Sequence, residues 1–406
     1  MVPNPPGRGI VARLSDSLRS AADLLSGRRY LLAVGVVALG LVYYVLIVLV
    51  PASLPPTPVP PPPTAAPTLA ATSTEVPPSQ TATPTATDTP SPAATGTPTT
   101  TGTPTLTATS TPTATQTAVP TVAFFRTFDY QPLAIMIENH PDARPQTGLN
   151  EADVVYEAVA EGGITRFLAV YANGRPNVVV GPVRSARHYY VYWAQEYNAI
   201  YVHIGASPQG YNAVNATGIT TIDAIYGEGG DAFWRIAERL APHNLYASTK
   251  ALWSWVKSGG KGQLAGLQFK ADSPQTGASQ LAVTYPDGYR VGYEYVPTTN
   301  SYLRYMDRVP HVDASDGVQY SPKNVIVQVM AAWLIRGDDK GRMDMQVVGG
   351  GKAYIFTDGR AIKGSWSKAS LHDVTHFYDA DGKPVLLNAG QTWIEVLPTE
   401  GSVSYQ

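Results

Sequence analysis

The sequence predicts an α/β domain, built as a mixed sheet with helices, followed by a mostly β domain, both held outside a membrane by one transmembrane helix and a disordered stalk. Three observations predict this organisation: an uncharged apolar run near the N-terminus, a Pro- and Thr-rich segment after it, and an abrupt change at Phe124 to short apolar segments bounded by Gly, Pro or Asn. The expected parts are a basic cytoplasmic tail at 1–29, the transmembrane helix at 30–50, the stalk at 51–122, the α/β domain at 123–262 and the β domain at 263–406.

The apolar run at 30–50 contains no charged residue. A helix of about 20 residues, rising 1.5 Å per residue, crosses a hydrocarbon core of about 30 Å. Arginines precede the run, and the segment after it carries almost no positive charge. By the positive-inside rule, we expect a single-pass protein of the cell membrane with a cytoplasmic N-terminus and extracytoplasmic domains.

The composition restricts the structure of the segment after the apolar run and the kinds of site and partner that the chain can have. The segment 51–122 is mainly Pro, Thr, Ala and Ser, and it cannot bury enough apolar surface to offset the loss of chain entropy, so we expect an extended, disordered stalk. The chain has no cysteine, which excludes disulfides, thiolate metal sites, a cysteine nucleophile and a lipid-modified N-terminal cysteine. Its formal net charge of −2 and its mixture of acidic and basic residues argue against a nucleic-acid partner.

Apolar segments bounded by turn residues predict strands in the α/β domain at 133–138, 152–160, 167–171 and 200–204. Helical patterns between and after them predict helices at 185–197, 208–216, 231–240 and 249–257. From Leu264 onward, the apolar segments are short and are separated by turn pairs such as Asp358-Gly359, which predicts a mostly β domain.

The first candidate site is the loop after strand 133–138, because binding sites are commonly built on loops at a sheet edge. Its sequence, ENHPDARPQTG, offers Asn139, His140, Arg144 and Gln146. The alternative is a proline-rigid loop whose side chains bind their own backbone.

The second candidate is a row of carboxylates on strand 152–160. Period-two spacing places Asp153 and Glu157 on one face, with Glu161 on the same face if the strand continues. Because such a row repels itself, we expect a neutralising group among them, either Arg166 or a divalent cation such as Mg²⁺. The alternative is a solvated strand face with an Arg–Glu pair.

The third candidate is the segment GPVRSAR at 181–187. A Gly-Pro turn precedes a helix predicted to begin near Ser185, and a helix start offers free amides and a positive dipole end to an anion. Arg184 and Arg187 lie three residues apart and add two guanidinium groups. We therefore expect an anionic ligand here, with an internal carboxylate as the alternative partner.

Two further clusters end elements of the same domain. His203 and Ser207 belong to the sequence HIGAS after a strand, and His243 and Asn244 belong to APHN after a helix. Either histidine could be a general acid or base or a ligand, although a structural histidine is the commoner outcome. The sequence contains no HExxH, GxSxG or GxxxxGK[ST] motif, so familiar hydrolase chemistry is unsupported.

Several long runs carry a family resemblance. They are PLAIMIENHPDARPQTGLNEADVVYEAVAEGGITRFLAVY, VGPVRSAR, YVHIGASPQ, APHNLY and GSWSKASLHDVTHFYDADGKPVLLNAGQTWIEV. Over about 125–400 the chain resembles the YerB-like family of bacterial envelope proteins, which implies an N-terminal part and a smaller C-terminal part of unknown function. The resemblance also implies the lipoprotein anchor of many members, from which this chain departs because it has no lipobox cysteine.

The segment ITRFLAVYANGRPNVVVGPVRSARHYY is also similar in layout to the LytR-CpsA-Psr transferases. Those enzymes move glycopolymers from polyprenyl pyrophosphate to peptidoglycan, with arginines on the pyrophosphate and carboxylates on magnesium. This chain lacks their Arg-Ser-Asp and Pro-Arg-Asp signatures.

The leading interpretation is a cell-envelope binding or assembly factor without turnover, with an anionic wall or lipid-linked glycan as its ligand. The alternative is a metal-assisted phosphoryl or glycopolymer transferase that uses Mg²⁺. The expected ligand-binding residues are Asn139, Arg144, Arg166, Arg184, Ser185, Arg187, Ser207 and Asn244. The candidate catalytic residues are Asp153, Glu157, Glu161, His203 and His243, of which the three carboxylates are also the candidate metal ligands.

Overall fold

The computed structural model describes residues 126–256, 260–264 and 266–406. Within these ranges the chain forms a sheet-dominated fold with few helices. The α-helices are α1 His188–Glu196, α2 Pro208–Thr217 and α3 Thr249–Trp255. The predicted tail, transmembrane helix and stalk lie outside the described residues. Among the helices that are described, none has the length and apolar character needed to cross a membrane.

Strands make up most of the regular structure. Up to α3 they are β1 Thr127–Phe128, β2 Leu133–Glu138, β3 Val154–Glu161, β4 Ile164–Tyr171, β5 Val179–Val180, β6 Ile200–His203, β7 Thr221–Asp223, β8 Phe233–Arg235 and β9 Leu245–Ser248. After α3 they are β10 Gly262–Gln263, β11 Gln268–Lys270, β12 Gln280–Thr284, β13 Arg290–Val296, β14 Ser301–Met306, β15 Val309–Pro310, β16 Asn324–Met330, β17 Ala332–Leu334, β18 Met343–Met345, β19 Gly349–Thr357, β20 Arg360–Lys368, β21 His376–Asp379, β22 Leu386–Asn388, β23 Thr392–Pro398 and β24 Ser402–Tyr405.

One mixed sheet of ten strands organises the fold, in the order β21-β20-β19-β16-β23-β3-β4-β2-β6-β7. The first five strands of this order come from the predicted β domain and the last five from the predicted α/β domain. The two sets join through the parallel pair of β23 and β3, in which Trp393 lies opposite Val155. The two sequence segments therefore share a single sheet.

Both faces of this sheet are covered, which explains the continuous apolar runs of its central strands. Strand β2 is buried at every position, as expected for a strand with neighbours on both edges and a layer on each face. Met136 and Tyr156 pack with Trp193 of α1 and with residues of a five-stranded sheet, β15-β14-β13-β12-β24. Ile135 and Val155 point to the other face and pack against loops and α3.

Several predicted elements are confirmed. Strands β2, β3, β4 and β6 lie where the apolar segments predicted them, and α2 begins at Pro208 with the Ser207 hydroxyl accepting a hydrogen bond from the Gly210 amide at 3.0 Å. The mostly β character of the later segment is also confirmed, because no α-helix is described after α3 in the ranges 260–264 and 266–406.

The helix predicted at 231–240 is wrong. Residues Gly230–Ala232 form a single 3-10 turn, and Phe233–Arg235 form strand β8, which pairs with β9. Most side chains between 231 and 240 are exposed or half-buried, so a helix here would have no apolar face to bury. Pairing with β9 therefore overrides the local helical pattern.

Candidate functional site

The carboxyl ends of several strands meet at one edge of the large sheet. Strands β2, β6 and β7 are parallel neighbours, and β3 runs in the same direction because both β2 and β3 are antiparallel to β4. These strands end at Glu138, His203, Asp223 and Glu161. Open α/β sheets usually bind ligands at this edge, so this is where a site formed by the predicted residues is expected.

The segment 181–187 crosses this edge as an extended chain. The amide of Arg184 donates to the Met136 carbonyl at 2.9 Å, and the amide of Ala186 donates to the Gly205 carbonyl at 2.9 Å. Helix α1 begins at His188, so the predicted helix start near Ser185 is wrong. The backbone has partners in β2 and in the turn after β6, which is why these residues extend across both strand ends.

Arg166 and Arg187 are buried and share one carboxylate. Each donates through its Nη2 atom to a different oxygen of Glu161. Their Nη1 atoms donate to the carbonyls of Ser185 and Ala186, both at 2.7 Å. Burial lowers the pKa of both guanidinium groups, and with the nearby charge of Arg184 the pKa of Arg166 falls to about 10. Arg187 therefore has the internal carboxylate partner that was its alternative to a ligand, and Arg166 pairs with Glu161, one of the carboxylates that it was expected to neutralise.

Arg184 is different because part of its guanidinium group reaches solvent. Its Nε donates to Glu138 Oε1 at 2.8 Å, and its side chain is 23% exposed whereas that of Glu138 is 4% exposed. The second oxygen, Glu138 Oε2, lies 3.1 Å from Nδ1 of His243. Within the described part of the chain, the two Nη atoms of Arg184 make no hydrogen bond.

The loop after β2 supplies a second imidazole. The rings of His140 and His243 stack with a centroid distance of 4.5 Å. One nitrogen from each ring and one carboxylate oxygen of Asp142 all lie within 4.8 Å of one another. This stacked pair borders the Glu138 carboxylate, so Arg184, His243 and His140 form one partly open polar surface, which we call the edge site.

Other residues of this loop hold it in place. The buried side chain of Asn139 accepts hydrogen bonds from Arg144 Nε and Gln146 Nε2, both at 3.0 Å, and donates to Glu157 Oε1 at 3.0 Å. Arg144 also donates to the Asn139 carbonyl at 2.9 Å. Arg144 and Gln146 therefore match the alternative of a loop that binds its own backbone, whereas Asn139 joins the loop to Glu157 of β3.

His203, Ser207 and Asn244 also have local partners. His203 is buried and contacts the Gly205 carbonyl at 3.0 Å and Thr221 Oγ1 at 2.8 Å. Burial lowers the pKa of His203, and the nearby charge of Asp223 opposes this shift. Ser207 caps α2, and Asn244 donates to two carbonyls of the 236–239 turn at 3.0 Å.

The structure does not bring the three predicted metal ligands together. Asp153 accepts hydrogen bonds from the amides of Ala172 and Asn173, both at 2.8 Å, before β3 begins. Glu157 lies in the interior, and Glu161 follows a β-bulge that breaks the period-two spacing of the strand. The bulge removes Glu161 from the expected row, and Asp153 is occupied by backbone amides before the strand begins.

An interior polar network was missed by sequence reasoning. Arg304 on β14 donates to Glu157 and to Nδ1 of His311, and Glu395 on β23 accepts hydrogen bonds from two buried tyrosines. Arg304 and Glu157 are 147 residues apart, so no local pattern links them. Asp142 and the carboxylate of Glu138 were also missed as site residues, although ENHPD places both beside His140.

Comparison with known proteins gives a consistent result. Residues 125–261 match the family described as "Protein of unknown function (DUF3048) N-terminal domain", and residues 281–394 match its C-terminal domain. The Bacillus subtilis protein named "Putative lipoprotein YerB" is 32% identical over 276 residues, which cover 66% of this chain and 81% of the relative. The crystal structure of YerB from Bacillus subtilis superposes with a TM-score of 0.57 at 31% identity and covers 68% of this chain and 94% of that one. The chain therefore belongs to the YerB-like family, a family of proteins of unknown function with N-terminal and C-terminal parts.

Proposed function

We propose that this protein is an extracytoplasmic cell-envelope protein, anchored by its predicted transmembrane helix, that binds a phosphate-bearing wall or lipid-linked glycan at the edge site. The name of the Bacillus subtilis relative as a lipoprotein supports an extracytoplasmic, membrane-associated location for the family. The binding of an anionic ligand is the further step that the edge geometry supports.

The main support for this proposal is the geometry of Arg184. Its Nε is bound to Glu138, which fixes the orientation of the planar group, while both Nη atoms remain available to a ligand. A guanidinium group held in this way can bind two phosphate oxygens at once. Preorganisation also reduces the side-chain entropy that binding would otherwise cost.

The charges of the neighbouring arginines favour an anion at the guanidinium group of Arg184. Arg184 pairs with Glu138, and Arg166 and Arg187 share Glu161, so three guanidinium groups face two carboxylates in these ion pairs. Arg166 and Arg187 are enclosed and cannot reach a ligand directly. They add positive potential behind Arg184, and a low local dielectric extends the range of that potential.

A binding measurement on the full-length protein in detergent tests the proposal. We expect inorganic pyrophosphate and a short-chain polyprenyl pyrophosphate to bind, and Arg184→Ala to weaken both by about 1.5–3 kcal/mol, the scale of a hydrogen bond to a charged group. Arg184→Lys should restore part of the loss, because lysine keeps the charge without the planar fork.

Arg360→Ala is the matched control, because Arg360 is an exposed arginine of β20 at the opposite end of the ten-stranded sheet. It should bind both ligands like the wild type. If Arg184→Ala keeps its fold and its affinity, the edge site is not the anion site. A weakening of equal size in both variants would mean that binding reflects overall charge.

A further inference from the structure

Three side chains with metal-ligand chemistry converge beside the Glu138 carboxylate. His140 and Asp142 lie on the loop after β2, and His243 lies on the turn before β9. One ring nitrogen of each histidine and one oxygen of Asp142 are all within 4.8 Å of one another. The side chains of His140, Asp142 and His243 are 32%, 72% and 16% exposed, so an ion could reach them from solvent.

Hydrogen bonding favours one tautomer of His243. Oε1 of Glu138 accepts a hydrogen bond from Arg184, and Oε2 lies 3.1 Å from Nδ1 of His243, so a proton on Nδ1 would be donated to this oxygen. The lone pair of His243 is then on Nε2. A carboxylate behind a histidine in this way is the usual arrangement around metal-binding imidazoles, because it fixes the ring and makes its free nitrogen more basic.

The lone pair on Nδ1 of His140 already accepts a hydrogen bond within the loop, so an ion would bind this nitrogen by displacing that bond. The amide of Asp142 donates to Nδ1 of His140 at 3.2 Å, so that nitrogen is unprotonated. Nδ1 lies 3.6 Å from Asp142 Oδ2. Pro141 begins a 3-10 turn between the two residues, and this turn keeps the nitrogen and the carboxylate on the same side of the loop. His140 and Asp142 can therefore bind the same ion from one loop.

We propose that His140, Asp142 and His243 bind one divalent transition-metal ion of the zinc class. Two imidazole nitrogens and one carboxylate oxygen suit Zn²⁺, Co²⁺ or Ni²⁺, whereas Mg²⁺ prefers oxygen ligands alone. Three protein ligands leave a fourth position for water or another small ligand.

Metal binding requires a local rearrangement that the loop permits. A single ion lies about 2.0–2.2 Å from each donor and in the plane of each imidazole ring, so the two rings must leave their stacked arrangement. His140 can turn because it is on the solvent side of the pair. His243 stays fixed by Glu138. His140 and Asp142 would therefore move toward an ion that is bound to His243.

Metal binding is measured with the ions alone and does not depend on anion binding. The full-length protein is dialysed against micromolar ZnCl₂, NiCl₂ or MgCl₂, and bound metal is counted and titrated against a chromophoric chelator. We expect one Zn²⁺ per chain and no stoichiometric Mg²⁺. His140→Ala, Asp142→Asn and His243→Ala should each lower zinc affinity at least about tenfold, the minimum lost even when an outer partner of a metal ligand is removed.

His376→Ala is the matched control, because His376 is an exposed histidine on β21 and is not part of the cluster. It should leave zinc affinity unchanged. His140→Ala changes a half-buried loop side chain and Asp142→Asn an exposed one, and the melting temperature of each variant shows whether a loss of zinc reports the site or the fold.

Two results would overturn the proposal. One is the absence of stoichiometric zinc at micromolar concentration in the folded wild-type protein. The other is a His140→Ala and His243→Ala double variant that binds zinc as tightly as the His376→Ala control.

Discussion

Two groups of the same residue types, one in the interior and one at the sheet edge, have opposite surroundings. In the interior, Arg304 donates to Glu157, to His311 and, through Nε, to the Tyr293 hydroxyl at 3.0 Å, and all four side chains are buried. At the edge, one guanidinium nitrogen of Arg184 is hydrogen-bonded within the described residues, to Glu138, and His243 shares that carboxylate.

The difference shows what each group does. Arg304 belongs to the five-stranded sheet and Glu157 to the ten-stranded sheet, so their ion pair fastens one layer to the other. Every nitrogen of Arg304 is bound within the described structure, and no ligand could enter without breaking the core. The edge group keeps guanidinium and imidazole nitrogens available. The two groups contain the same residue types. They differ in their position in the fold and in the number of side-chain nitrogens that are still free to bind a ligand, and this difference distinguishes the scaffold from the candidate site.

The largest expected effect is the loss of the interior pair. Arg304→Ala leaves the Glu157 carboxylate buried without its cation, which should reduce the free energy of unfolding by about 3–5 kcal/mol. Urea unfolding followed by tryptophan fluorescence measures this change. The exposed Arg360→Ala variant should stay within about 0.5 kcal/mol of the wild type. If Arg304→Ala is as stable as Arg360→Ala, the interior network does not stabilise the fold.

A smaller effect is expected at the edge. Arg184→Ala removes one hydrogen bond to the Glu138 carboxylate, but His243 remains beside that group. We expect a loss of about 1.5–3 kcal/mol in the free energy of unfolding, the scale of a hydrogen bond to a charged group. The same urea titration checks it. If Arg184→Ala costs more stability than Arg304→Ala, Arg184 belongs to the scaffold and the contrast between the regions fails.

The smallest effect per step is a change of stability with pH, at most about 1.4 kcal/mol per pH unit, that should come from Glu395. Burial, together with the charge of Glu157, raises the pKa of Glu395 to about 8. The folded protein then holds this proton more tightly than the unfolded chain. The stabilising contribution is complete below the pKa of an exposed glutamate, about 4.3, and is lost as the pH rises to about 8.

Glu395→Gln isolates this contribution because glutamine has the same shape and does not titrate. Between pH 5 and 8 the free energy of unfolding of the wild type should fall relative to that of the variant, by at most about 1.4 kcal/mol per pH unit. Urea unfolding of both proteins across this range measures the difference. Parallel pH profiles would mean that Glu395 is ionised in the folded state at pH 5.

Local patterns in the sequence were enough for much of the fold. The continuous apolar run of β2 and the Ser207-Pro208 start of α2 act within a few residues, and both were predicted correctly. Strand β8 could not be predicted in the same way. Its conformation depends on pairing with β9, and the sequence around Trp234 is compatible with a helix.

The candidate site was predicted only in part for the same reason. Arg184 and Arg187 stand out in the sequence, but the Glu138 carboxylate that orients one and the Glu161 carboxylate that neutralises the other are fixed by the sheet. His140 and His243 come together across about a hundred residues because their loops meet at the same strand ends. The spacing of residues in the sequence does not show that these two loops are in contact.

The location of bound pyrophosphate tests the central claim most directly. In a crystal structure of the protein with this ligand, we expect phosphate oxygens about 2.7–2.9 Å from the Nη atoms of Arg184, next to His140 and His243. The claim would be contradicted by pyrophosphate bound elsewhere, for example in the groove of about 650 Å³ on the five-stranded sheet that Arg290 and Arg308 line, with the edge site empty at saturating concentration.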